Sequence, residues 1–145
     1  MRENLTHKVH KVVKKYCAKG DKLADKKKFV KAQECYSKAW DALPEPKLKW
    51  DASNWILAAQ MDAAFLSHDI ALSRHYLRIM QNMNENIGNP FFHLRNGQCY
   101  FLEGNEDAAA NELIRAYALE GPEMFGENQK YLEFLATKAE GISIP

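Results

Sequence analysis

The sequence contains no long hydrophobic run, and this absence restricts where the chain can reside. The longest unbroken apolar stretch has five residues, Trp55 to Ala59, whereas a membrane-spanning helix needs about 20. The first residues, MRENLTHKVHKVVKK, also lack the apolar core of a secretory signal. We therefore predict that the protein does not enter a membrane and that it is cytoplasmic.

Cysteine, glycine and proline are also scarce. The three cysteines, Cys17, Cys35 and Cys99, form no CxxC pair, so we expect reduced thiols rather than a disulfide scaffold. Seven Gly and five Pro are too few for a low-complexity chain, and an apolar fraction of 46% is too high for a disordered one. The 145 residues therefore predict one folded domain, residues 1–145, with a substantial core.

Charge is unevenly distributed along the chain. Residues 1–50 contain 14 Lys+Arg and 6 Asp+Glu, whereas residues 51–145 contain 6 and 13, although the whole chain has a net charge of only +1. Lysine dominates the basic part, and lysine recognises phosphate groups and bases less specifically than arginine. The pattern therefore favours a protein partner over a nucleic acid. The lysines that could contact phosphate without reading sequence are Lys22, Lys26, Lys27, Lys28 and Lys31.

Apolar residues recur every three to four positions over almost the whole chain, and no segment shows the period of two that is typical of strands. The pattern predicts an all-α fold of seven helices. Their approximate bounds are 4–24, 29–43, 48–67, 70–83, 90–103, 106–120 and 123–138. Asp69 is predicted to cap the fourth helix, and Gly88 to adopt a left-handed conformation after it.

Two parts of the sequence match when Gly97 is aligned with Gly20. The other aligned pairs are Leu23 with Tyr100, Ala32 with Ala109, Tyr36 with Leu113, Ala39 with Ala116 and Pro44 with Gly121. Small residues at fixed positions let two antiparallel helices approach closely. One helix pair cannot bury both of its faces, so such pairs stack on one another.

This spacing resembles that of the tetratricopeptide repeat (TPR) family. In residues 13–46 the family positions are occupied by Tyr16, Gly20, Leu23, Phe29, Ala32, Tyr36, Ala39 and Pro44. In residues 90–121 they are occupied by Gly97, Tyr100, Gly104, Ala109, Leu113 and Ala116. Residues 47–89 exceed the family's unit of about 34 residues and are interpreted as a divergent repeat with lengthened helices. The resemblance implies a TPR-like α-solenoid of three antiparallel helix pairs, followed by a capping helix at about 123–138.

In the TPR family, the first helix of each pair lines a concave surface that binds a peptide or a protein. The resemblance therefore implies a partner-binding face on this chain. Its predicted residues are Lys14, Asp21, Asp25, Ile56, Gln60, Phe91, Leu94, Gln98 and Phe101. Phe91 and Phe101 are predicted to be aromatic anchors, the residue type that is enriched at interface hot spots. The alternative is that both belong to the core.

The sequence shows no catalytic constellation: it has no Gly-rich phosphate loop, no GxSxG motif and no zinc-ligand spacing. We predict a non-enzymatic protein without a metal or a cofactor. A short stack of three repeats is similar to small bacterial immunity proteins encoded beside polymorphic toxins, which implies that the chain binds and neutralises a toxin domain. It is also similar in size and layout to class II chaperones of type III secretion, which hold translocator segments. A generic TPR adaptor is the third alternative.

Overall fold

A computed structural model describes residues 5–126 and 128–145, and in these residues it contains helices and no strand. The predicted all-α fold is therefore confirmed, although Asn4 lies outside the described residues. The seven α-helices are α1 (His7–Asp25), α2 (Phe29–Ala42), α3 (Asp51–Leu66), α4 (Ile70–Gln81), α5 (Pro90–Leu102), α6 (Glu106–Glu120) and α7 (Gln129–Lys138). Within the described ranges, none of these helices has the length and apolar character needed to span a bilayer.

The described residues divide into two compact units, which lie within residues 1–83 (unit 1) and residues 84–145 (unit 2). In unit 1, α1 pairs with α2, α3 pairs with α4, and α3 also packs against α2. In unit 2, α5 pairs with α6, and α7 packs against α6. Each pair is a helical hairpin joined by a turn of three residues.

The three hairpin turns have the same backbone geometry. Each contains one residue with a positive φ, namely Lys27 (60°), His68 (68°) and Gly104 (84°). The N–H of that residue donates to the carbonyl three positions earlier, and the next N–H donates to the carbonyl five positions earlier, at 2.9 Å in all three turns. These bonds satisfy the last carbonyls of the first helix, as in the Schellman motif. The three hairpins therefore share one register, in which Lys27, His68 and Gly104 are equivalent.

The register brings equivalent residues into close contact in the first and third hairpins. A Cβ atom built on Gly20 would lie 2.5 Å from Cε1 of Tyr36, and one built on Gly97 would lie 2.7 Å from Cγ of Leu113. The two glycines, which the sequence aligned, thus contact side chains that the sequence also aligned. Glycine is required here because the facing side chain occupies the space that a Cβ would need.

The middle hairpin keeps this register without a glycine. Met61 takes the position of Gly20, and Ser73 takes the position of Ala32 and Ala109; Ser73 and both alanines are fully buried. The Ser73 hydroxyl donates to the carbonyl of Met61 at 3.1 Å, so this hydrogen bond connects α4 to α3.

The predicted lengthening of the middle helices is wrong. Helices α3 and α4 contain 16 and 12 residues, whereas α1 contains 19. Residues 47–89 exceed the length of a family repeat partly because they contain two 3₁₀ segments outside the helices, Lys47–Lys49 and Asn84–Asn86.

Two other local expectations also differ from the structure. The last helix begins at Gln129 instead of about residue 123, because a 3₁₀ turn at Pro122–Phe125 ends at Gly126, whose φ is 60°. Gly88 is not among the described glycines with a positive φ, so its predicted left-handed conformation is wrong.

The close contacts at Gly20 and Gly97 lead to a stability prediction. We expect Gly20→Ala and Gly97→Ala each to destabilise the protein by about 1–3 kcal/mol through overpacking, despite a gain of about 1 kcal/mol in helix propensity. Gly88→Ala is the matched control, because Gly88 is exposed and a Cβ there would meet no atom within 4 Å. Urea denaturation measures the three free energies of unfolding. Equal stability of all three variants would contradict the close packing.

Candidate functional site

Unit 1 contains a cleft of about 700 Å³ between the turn end of the first hairpin and helix α3. Three carboxylates line this acidic cleft: Asp21 and Asp25 from α1, and Asp62 from α3. Among the residues that the structure describes, one lysine, Lys27, lines its wall. The apolar part of the wall consists of Ala24, Phe29, Ala59, Ala63 and Leu66.

The hairpin register explains why two of the carboxylates meet in the cleft. Asp21 and Asp62 each lie six residues before the positive-φ residue of their hairpin, so they occupy the same position in α1 and α3. Both side chains are exposed. Equivalent positions on neighbouring hairpins of a repeat face the same side, and the turns of unit 1 therefore decide which side chains reach the cleft.

Tyr36 fixes the carboxylate of Asp21. Its hydroxyl donates to Oδ1 of Asp21 at 2.7 Å, and its ring packs over Gly20. Burial raises the pKa of Tyr36 far above its ordinary value, and the hydrogen bond to Asp21 and the charges of Asp21 and Asp62 raise it further. The phenol thus remains a protonated donor at physiological pH, and Asp21 is held in the wall of the cleft.

The chemistry of the cleft suits a basic side chain. Three carboxylates and one lysine make it electronegative, and carboxylates form strong charge-assisted bonds with cationic donors. The apolar wall can cover the aliphatic stem that Lys and Arg carry below the charged group. Over residues 5–126 and 128–145, no three His, Cys, Asp or Glu side chains are placed so that they could hold a metal ion.

Of the predicted site residues of unit 1, three are exposed and two are buried. Asp21 and Asp25 line the acidic cleft, and Lys14 is exposed on α1. Ile56 is fully buried, and Gln60 is only 4% exposed. The carbonyl of Gln60 accepts a bond of 3.0 Å from Nε2 of Gln33. Contrary to expectation, Ile56 and Gln60 therefore face the core of unit 1 and not its surface.

The register shows which residues of α3 are equivalent to Lys14 and Asp21 of α1: they are Trp55 and Asp62. Trp55 is 40% exposed, and Asp62 is exposed. The sequence pattern missed both because Met61 stands where the other hairpins have glycine.

The turn between α3 and α4 contains a sequence signal, Asp69, from which the register of the middle hairpin can be read. Asp69 and Asn105 occupy equivalent positions and both cap the helix that follows. Asp69 accepts from the N–H of Leu72 at 3.1 Å, and Asn105 accepts from the N–H of Ala108 at 3.3 Å.

Of the four predicted residues in unit 2, Phe91 is the most accessible. It is 67% exposed in the first turn of α5. Leu94 is half-buried against the core of unit 2, and Gln98 is buried, with its Oε1 accepting from Arg95 at 3.1 Å. Phe101 is half-buried and makes edge-to-face contacts with two aromatic rings of α7. The alternative was that Phe91 and Phe101 both belong to the core. The contacts agree with it better for Phe101 than for Phe91.

His93 connects the segment before α5 to helix α6. Its Nδ1 lies 2.7 Å from Oε2 of Glu112, and its Nε2 lies 2.6 Å from the carbonyl oxygen of Ile87. The side chain of His93 is 6% exposed, so both contacts are shielded from water. They fix the backbone at Ile87, shortly before the exposed ring of Phe91.

The chain matches no protein-family model, no curated protein and no solved structure. The assignment of function therefore depends on the residues and contacts described above.

The buried thiol of Cys17 leads to a prediction about reactivity. Burial, and secondarily the charge of Asp21, raises the pKa of Cys17 from 9.0 to about 11. Just below pH 9, we expect Cys17 to react with iodoacetamide about 100-fold more slowly in the native protein than in concentrated urea, because thiolate is the nucleophile. Mass spectrometry of the alkylated peptides measures both rates, and similar rates would contradict the burial of this thiol.

The raised pKa of Cys17 also determines how the stability of the fold changes with pH. The folded state holds the Cys17 proton more tightly than the unfolded state. The contribution of Cys17 to stability is therefore fully present below pH 9 and is lost as the pH rises from 9.0 to about 11.

The contacts of His93 lead to a second prediction for this site. Glu112→Ala removes the partner of a buried ring nitrogen, so we expect it to lower the free energy of unfolding by about 1–3 kcal/mol. Asn111→Ala is the control, because Asn111 is the exposed neighbour on the same helix. Urea denaturation compares the two variants. If they are equally stable, the contact between His93 and Glu112 does not stabilise unit 2.

Proposed function

We propose that this chain is a non-enzymatic protein-binding module, and more specifically an immunity protein that binds and neutralises a cognate bacterial toxin. Three hairpins with one register support a TPR-like solenoid, because hairpins of this kind bury their second face by stacking. The observation on which the proposal depends is the acidic cleft, where equivalent positions of two hairpins supply Asp21 and Asp62 to one wall.

The cleft would take a lysine or an arginine of the toxin. Asp21 is already oriented by the hydroxyl of Tyr36, so little side-chain freedom is lost at this position when the partner binds. An electronegative cleft also steers a basic protein during diffusion and raises the association rate. A basic toxin surface, such as the one with which a nuclease binds its substrate, has the complementary charge.

Two aromatic side chains support the protein-binding role. Trp55 and Phe91 occupy equivalent positions in α3 and α5, and they are 40% and 67% exposed. Aromatic residues with exposed rings are typical anchors of protein interfaces. Each of them lies on the first helix of its hairpin, which is the helix that forms the binding surface in the TPR family.

The test is co-expression with the protein encoded by a neighbouring toxin gene, followed by calorimetry of the purified complex. We expect Asp21→Asn with Asp62→Asn to raise Kd by at least about tenfold, which corresponds to about 1.4 kcal/mol. Asparagine can still accept the hydrogen bond from Tyr36, so the fold is preserved while two charges are lost. The matched control is Glu34→Gln with Asp41→Asn, which removes two exposed charges from α2 outside the cleft.

Two results would contradict the proposal. Absence of any complex with a neighbouring toxin would remove the immunity function, and a secretion-translocator operon at that position would favour the chaperone instead. Equal effects of the two charge-neutralised pairs would remove the cleft as the binding site, because the loss of affinity would then follow net charge alone.

A further inference from the structure

A row of six lysines follows the outer face of α1 and its C-terminal cap. Its members, the lysine ridge, are Lys8, Lys11, Lys15, Lys19, Lys22 and Lys26. Successive members are three or four residues apart, a spacing that places side chains on one face of a helix. The row extends for about 27 Å, given a rise of 1.5 Å per residue.

No ion pair neutralises the ridge within the part of the chain that the structure describes. All six lysines are exposed, and none of them forms an ion pair within residues 5–126 and 128–145. The two acidic residues of α1, Asp21 and Asp25, line the acidic cleft on another side of the helix. The buried residues of α1, Val13, Cys17 and Gly20, face the core. Like charges at this spacing repel each other, so an anionic partner would relieve the repulsion.

The side chains around the ridge indicate the type of anion. The exposed apolar residues among the lysines are Val12 and Ala18. The ring of Tyr16 lies 5.8 Å from Nζ of Lys15, and it is partly buried against the core. Protein interfaces need aromatic or arginine anchors, and helices that lie in a membrane surface insert Trp, Phe or Leu. The ridge offers neither feature, because the ring of Tyr16 packs against the core. A nucleic-acid backbone requires only positive charges at short intervals, and lysine supplies these as point charges without reading bases.

We propose that the lysine ridge binds the phosphodiester backbone of a nucleic-acid duplex without sequence preference. A duplex carries one negative charge for about every 1.7 Å of its axis, so a row of 27 Å that lies alongside the duplex spans about eight base pairs of its length. This surface is distinct from the acidic cleft, and its role does not depend on the proposed function. It also revises the prediction from sequence that a protein partner is favoured over a nucleic acid. Of the lysines named there, Lys22 and Lys26 belong to the ridge, whereas Lys27, Lys28 and Lys31 do not.

Fluorescence anisotropy with two labelled duplexes of unrelated sequence tests the proposal. The ridge variant is Lys11→Gln, Lys15→Gln, Lys19→Gln and Lys22→Gln, because glutamine is about as good a helix former as lysine. The matched control is Lys28→Gln, Lys31→Gln, Lys38→Gln and Lys138→Gln, which removes the same charge from exposed positions outside the ridge and the acidic cleft. Circular dichroism confirms that both variants are folded.

We expect the wild-type chain to bind both duplexes equally and to lose affinity steeply with salt, with a slope of about −0.9 for each phosphate that it neutralises. The ridge variant should bind at least about 100-fold more weakly at about 50 mM salt, with a slope reduced by about 3–4. The control should remain within about threefold of the wild type.

Three results would overturn the proposal. One is no binding of the wild-type chain to either duplex at about 50 mM salt. Another is an equal loss of affinity in the two variants, which would indicate an effect of net charge. The third is ridge-dependent binding to vesicles that contain phosphatidylserine with no binding to either duplex, which would assign the ridge to a membrane surface.

Discussion

The close approach of paired helices, closed by one type of turn, is the constraint on which the rest of the structure depends. At Gly20 and Gly97 a facing side chain occupies the space of the missing Cβ. The turn occurs in all three hairpins, whereas the glycine contact occurs in two. It forms even with Lys27 and His68 at the positive-φ position, where a side chain costs about 1–2 kcal/mol relative to glycine. The turn therefore determines which side of each helix faces its partner in the hairpin. The small residues on those sides then allow the two helices to approach closely.

Tyr36 makes the site depend on this packing. Its ring fills the space above Gly20, and its hydroxyl holds Asp21 in the acidic cleft. A displacement of the ring would therefore move the carboxylate. Asp62 reaches the same cleft because its hairpin has the same turn. The core and the candidate site of unit 1 are thus positioned by one set of contacts.

The sequence predicted those features that depend on local pattern. The helical period gave the all-α class, and the rarity of glycine made the match of Gly20 with Gly97 visible. The orientation of α3 was not predictable in this way, since Met61 removes the glycine signal and α3 is apolar on several sides. The burial of Phe101 was also inaccessible, because it depends on contacts with α7, a helix about 30 residues later. The bond between Tyr36 and Asp21 joins two helices, so it follows only once their register is known.

Helix α1 carries opposite charges on different sides, and this has a thermodynamic consequence. A helix is about 10–12 Å across, which is close to the Debye length of about 10 Å at 0.1 M ionic strength. The positive potential of the lysine ridge therefore extends in part to Asp21 and Asp25 and weakens the attraction of the acidic cleft for a cation. An anion on the ridge would cancel that potential and strengthen cation binding in the cleft. By linkage, a cation in the cleft would strengthen anion binding on the ridge by the same factor. Because the coupling acts through screened charges rather than through a change of shape, it would be largest at low ionic strength.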